Sequence, residues 1–153
     1  MSVNRCVAVA LSGMLALLGC SSSTQERVEG AWGAMVDGFR ASLRSPRAVV
    51  ALGEPIELRV RVRNAVGEIR DFASAHDVAL RVSRGDTDVG DDLDYVTLAP
   101  EAMKLPPGEE REFALRRYPT AGEAAKLCGA RGLYRFQGTL GKMELPPIEI
   151  RVE

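Results

Sequence analysis

Five aspartates within nine residues, Asp86, Asp88, Asp91, Asp92 and Asp94, are interleaved with Gly85 and Gly90. Carboxylates on a bendable segment are the ligands that hard cations such as calcium take. The spacing departs from the twelve-residue calcium loop: Gly90 falls one position early, and no Glu stands at the closing position. The expectation is a solvated acidic loop between two strands, with these five carboxylates as the metal candidates and no bound metal. A second concentration of charge is Arg59, Arg61 and Arg63, which alternate with apolar residues, and Arg81, Arg84, Arg116 and Arg117 are available as neighbours. Guanidinium groups on one strand face form an anion patch for a glycan, a phospholipid head group or an acidic protein surface. The competing reading is cross-strand pairing with Glu57, Glu110 and Glu112, since opposite charges stabilise a wet sheet face by about 0.2–1 kcal/mol per pair. Pairing is the expectation.

Catalytic arrangements are scarce. The single histidine, His76, is followed directly by Asp77, and adjacent strand residues point to opposite faces, so the two are not placed to act as base and orienting group. His76, Cys128, Met103 and Met143 stand at no recognisable metal-ligand spacing. No glycine-rich phosphate loop or dinucleotide fingerprint occurs. The chain reads as a non-enzyme without a cofactor other than the lipid considered next.

Residues 1–20, MSVNRCVAVALSGMLALLGC, place one cation at Arg5 ahead of an apolar run from about Cys6 to Leu18 and end on Gly19 and Cys20. This is the charged, apolar and small-residue succession of a secretory signal. The run is shorter than the roughly 20 apolar residues that span a bilayer. Leu17-Leu18-Gly19-Cys20 resembles the bacterial lipobox, which implies that the Cys20 thiol receives diacylglycerol, that cleavage makes Cys20 the N-terminus, and that further acylation (palmitate) completes a stable anchor. Ser21 stands where lipoproteins retained in the inner membrane often carry Asp, so the resemblance points to an outer-membrane lipoprotein facing the periplasm or the cell surface. Cys6 then leaves with the signal, and Cys128 has no internal partner. A buried Cys128 acting as a small hydrophobe is expected.

The chain of 153 residues is 46% hydrophobic and 27% charged, within the range of one globular domain. Twenty Lys and Arg against 21 Asp and Glu give a net charge of -1, and loss of residues 1–19 removes only Arg5. The field that nucleic-acid binders use to attract phosphate is absent, so no nucleic-acid partner is expected.

The elements that position these groups follow a period of two. Ser21 to Gln25 is polar, as in a tether. Val28, Trp32, Val36, Phe39 and Leu43 recur at helical spacing, whereas Phe39, Ala41 and Leu43 alternate with Arg40, Ser42 and Arg44; the expectation is a short helical turn and then a strand over 39–43. Gly53-Glu54-Pro55 marks a turn before Ile56, Leu58, Val60 and Val62, which alternate with Glu57, Arg59, Arg61 and Arg63. Further strands are expected over 78–82, 93–98, 113–116, 132–140 and 148–152. The organisation is a signal peptide over 1–19, a lipid-anchored tether over 20–37 and a domain over 38–153. About seven strands with Gly and Pro turns, and no helix for a crossover, predict an all-β antiparallel sandwich.

The succession GEPIELRVRVRN, LPPGEEREF and GLYRFQGTL resembles the extracytoplasmic immunoglobulin-like and fibronectin type III-like modules of bacteria. The resemblance spans about residues 50–152 and implies an immunoglobulin-like sandwich in which Tyr134 is a corner tyrosine bonded to nearby backbone. It also resembles the bacterial intracellular proteinase-inhibitor family, although this chain carries an export signal and shows no reactive loop. Two functions follow as expectations: a lipid-anchored binding or scaffold module for another envelope protein, and, as the alternative, a proteinase inhibitor or regulator.

Overall fold

A computed structural model of the chain describes residues 26–73, 77–97, 102–117 and 130–153. Among them there is no helix. The strands are β1 (Val28–Glu29), β2 (Phe39–Ser45), β3 (Val49–Val50), β4 (Arg59–Asn64), β5 (Arg70–Ala73), β6 (Asp77–Arg84), β7 (Thr87–Thr97), β8 (Ala102–Leu105), β9 (Glu110–Arg117), β10 (Gly132–Leu140) and β11 (Met143–Val152). The protein is an all-β, immunoglobulin-like sandwich. The strands run in the hydrogen-bonded order β1-β2-β4-β9-β7-β6-β10-β11-β3, with β5 and β8 as a separate pair.

Strand β9 divides this order into two layers. Its first half pairs with β4, from Arg63–Glu110 to Arg59–Ala114, and its end pairs with β7, from Thr97–Leu115 to Tyr95–Arg117. One layer is therefore β1-β2-β4-β9, and the other is β7-β6-β10-β11-β3. Alternation turns Phe39, Leu43, Val60 and Val62 inward from the first, where they meet Val82, Tyr134, Phe136 and Ile150 of the second. Phe72 of β5 closes one end, its ring edge-on to Phe39 at 5.2 Å and stacked on Phe113 at 6.3 Å. Aromatic pairs at such separations add about 0.5–1.5 kcal/mol beyond their burial.

The seven expected strands correspond to β2, β4, β6, β7, β9, β10 and β11; the alternation expected from Ile56 enters a ladder only at Arg59, and Leu98, expected to end its strand, lies outside the described residues. The other four are short, at two residues for β1 and β3 and four for β5 and β8, so no period can declare them. One departs from the antiparallel rule: β3 pairs with β11 in parallel, Val50 beside Val152.

The segment before β2 is not a helical turn. From Val28 on, the stretch expected as tether is bonded to the sheet: β1 pairs with β2, Gly30 N–H donates to Leu43 O at 2.9 Å, and Gly33 N–H donates to Ala41 O at 2.9 Å. A Cβ on Gly30 would stand 2.8 Å from the Ile148 side chain, and one on Gly33 would run into the Glu144 carbonyl. These glycines let the backbone slot between β2 and β11. The chain then reverses at Asp37-Gly38, both with positive φ (51° and 86°), and Val36 bridges Phe39. Asp-Gly is the dipeptide that a tight hairpin turn of this hand favours.

Tyr134 is fully buried, and its hydroxyl donates to Ala130 O at 2.8 Å. The expected corner tyrosine is thus in place.

Candidate functional site

The outer face of the β2-β4-β9 layer collects the arginines. Val60 and Val62 point into the core, so Arg59, Arg61 and Arg63 point out, and β2 presents Arg40, Ser42 and Arg44 beside them. Register sets Arg44 opposite Arg59, Ser42 opposite Arg61 and Arg40 opposite Arg63. From β9, Glu112 lies opposite Arg61 and Glu110 opposite Arg63.

Two like charges directly opposed on a sheet repel, and the first pair is bridged by one carboxylate. Arg44 Nη1 donates to Glu112 Oε2 at 2.5 Å, and Arg59 Nη1 donates to Glu112 Oε1 at 2.8 Å. Partial burial pushes the Glu112 carboxyl up, but the hydrogen bonds from Arg59 and Arg44, with their charges, outweigh it and hold the group below its ordinary value.

Arg61 is also spent internally. Its Nη1 lies 3.3 Å from Glu29 Oε2, its Nη2 donates to Ser42 Oγ at 3.3 Å, and its guanidinium carbon sits 4.9 Å from the centre of the Trp32 ring. Its Nε is buried with no hydrogen-bond partner among the described residues. The side chain is only 13% exposed. Pairing therefore describes Arg59 and Arg61, with Glu29 in a part the sequence did not assign to it.

Arg40 and Arg63 differ. Arg63 is 46% exposed and reaches Glu110 only at 3.9 Å, while Arg40 makes no ion pair among the described residues. They line a groove of about 400 Å³ with Trp32, Met35, Val66 and Gly108. Buried Asn64 fixes its floor: Nδ2 donates to Glu68 O and Leu105 O, both at 2.8 Å, and Oδ1 accepts from Val66 N–H at 3.0 Å. The arrangement offers two cations, one half-buried aromatic ring and an exposed thioether. It holds no nucleophile beside a base.

Sequence reasoning missed Arg40, Trp32 and Met35 as members of this face. The alternation of Arg40, Ser42 and Arg44 was the available signal for the first; Trp32 and Met35 arrive through the docking of residues 28–36. Arg81 and Arg84, expected as neighbours, stand on β6 in the other layer. The side chains of Arg116 and Arg117 lie outside the described residues.

Of the five aspartates only Asp86 lies in a turn, and the other four stand on β7. The turn between β6 and β7 is Gly85-Asp86, with Gly85 at a φ of 57°, and Asp88 already pairs with Ser83. Asp91, Asp92 and Asp94 continue β7, Asp94 opposite Ala79. Pairing with β6 holds Asp88 and Asp94 in the ladder, and Asp91 and Asp92 fall where its register shifts between Leu80 and Val82. Asp86 and Asp88 are exposed; the side chains of Asp91, Asp92 and Asp94 lie outside the described residues. Among the described residues, no three His, Cys, Asp or Glu side chains converge on one point. Met143 is buried in the core and Met103 packs against it. Cys20, His76 and Cys128 fall outside the described residues.

No protein-family model matches the chain, and no curated protein matches it. Among solved structures, it is similar to a β-glucosidase from Listeria innocua at 14% identity and a TM-score of 0.41, over 75% of this chain and 16% of that one. It is similar at 12% identity and a TM-score of 0.41 to an alkylpurine DNA glycosylase of Pseudomonas fluorescens bound to DNA with an abasic-site analogue, over 78% of this chain and 31% of that one. The CARDB domain of a Pyrococcus furiosus protein, in complex with di-metal ions, is matched at 14% identity and a TM-score of 0.36, over 81% of this chain and 91% of that domain.

Proposed function

We propose that the chain is a lipid-anchored envelope protein, acylated at Cys20, whose sandwich serves as a non-catalytic binding or scaffold module for another envelope protein. The observation that carries this reading is the lipobox-like Leu17-Leu18-Gly19-Cys20 placed eight residues ahead of Val28, where the chain joins the sheet. Eight residues span at most about 27 Å, which tethers the domain close to the bilayer. A groove of charged and apolar side chains, without a nucleophile beside a base, favours contact over catalysis. The Ser21 position favours the outer membrane.

The test compares the native protein with Cys20→Ala in cells fed labelled palmitate, followed by membrane fractionation and crosslinking. The reading expects label, membrane association and one defined partner for the native form, with the complex rebuilt from purified components, and loss of label and association for the variant. Two soluble, unlabelled forms would overturn the anchor, and a labelled protein with no reproducible partner would overturn the scaffold role.

A further inference from the structure

The first layer contains two directly opposed arginine pairs, and the fold treats them differently. Arg44 and Arg59 share the two oxygens of Glu112 at 2.5 and 2.8 Å. Arg40 and Arg63, four residues along each strand, meet among the described residues only Glu110, from Arg63 at 3.9 Å. Neighbouring guanidinium groups repel, and an anion between them removes that repulsion. Trp32 and Met35, the latter 53% exposed, rim the same groove. Cations beside an aromatic ring and an apolar chain are what the boundary between head groups and hydrocarbon accommodates, the cations against phosphate and the ring at head-group depth.

From this juxtaposition we infer that the Arg40–Arg63 groove docks the domain onto an anionic lipid surface. The inference rests on the anchored reading for its geometry. Val28 pairs with Ser45, and Arg40 lies five residues from Ser45 along β2, about 17 Å. The roughly 27 Å reach of the tether exceeds that distance, so the domain can lie with this face against the head groups. An anchor also holds the face at high effective concentration beside them.

The test uses the unlipidated chain from residue 20 onward carrying Cys20→Ala, and vesicles of phosphatidylcholine alone or with 30 mol% phosphatidylglycerol (a chosen composition, about one anionic lipid in three). Sedimentation is expected to show binding to the anionic vesicles, weakened by salt, and little to the zwitterionic ones. Arg40→Gln with Arg63→Gln is expected to lower the partition coefficient on the order of 30-fold, the effect of removing two charges at a membrane surface. Arg135→Gln with Arg151→Gln, on the outer face of the other layer, is expected to leave it unchanged, with melting temperatures checked for all forms. No binding, equal binding to both vesicles, or equal loss in both double variants would overturn the inference. So would a polyglutamate peptide that binds through Arg40 and Arg63 when the anionic vesicles do not, since the groove would then belong to an acidic protein segment. Because this chain carries no lipid, vesicle binding here with a soluble native protein in cells would overturn the anchor alone.

Discussion

The guanidinium carbon of Arg61 lies 4.9 Å from the centre of the Trp32 ring. The contact joins the segment before β2 to the face of β4, and it removes Arg61 from the set of cations open to a partner. A cation over an indole contributes about 0.5–2 kcal/mol, more as the pair is desolvated.

Removing this cover is expected to weaken the domain as a whole. Trp32→Ala should lower stability by about 2 kcal/mol through lost burial and the lost cation contact. Urea unfolding should show a lower midpoint with an unchanged slope. An unchanged midpoint would mean that residues 28–36 do not contribute to the cooperative unit.

Gly33 tests the same docking from the backbone side. A methyl group there collides with the Glu144 carbonyl, so Gly33→Ala should cost about 2 kcal/mol or more, as overpacking does. Gly67, where a Cβ meets nothing within 4 Å, is the control, and Gly67→Ala should shift the melting temperature little.

Glu112 makes stability depend on acid. Its carboxyl titrates below the ordinary value in the folded state, because the hydrogen bonds from Arg59 and Arg44 outweigh partial burial. A depressed folded value means that the contribution is fully present above the unfolded value, about 4.3, and is lost as pH falls through the lower folded one. Glu112→Gln should therefore destabilise the protein by about 1–3 kcal/mol at neutral pH and flatten the loss of stability below about pH 4. Melting curves from pH 7 to about 3 check this; parallel curves for the two forms would contradict it.

Tyr134→Phe deletes one hydroxyl and its bond to Ala130 O. The expected cost is about 1–2 kcal/mol, or a fall of roughly 2–8 °C in a domain of this size. Amide exchange near Ala130 should quicken more than exchange in β6, because the hydroxyl ties that approach to the start of β10.

Much of this architecture is written in local pattern. Val60 and Val62 had to face inward and Arg59, Arg61 and Arg63 outward because a strand alternates and water separates the two kinds. Pro-Pro-Gly before Glu109 and the long alternation through β10 and β11 likewise marked their strands without reference to any partner. Other features were decided only when distant segments met. The need of Gly30 and Gly33 for close approach exists only because Leu43, Ile148 and Glu144 surround that path. Asp88 to Asp92 looked like a loop because carboxylates are interleaved there with Gly90, yet the ladder between β6 and β7 runs through them. The face itself shows the division most clearly. By itself the sequence determined that β4 carries three outward arginines; tertiary structure alone decided that Glu112 and Trp32 occupy Arg59 and Arg61 and that Arg63 stands with Arg40. Alternation is a property of one chain segment, whereas charge pairing depends on which segments the fold brings within a few ångströms.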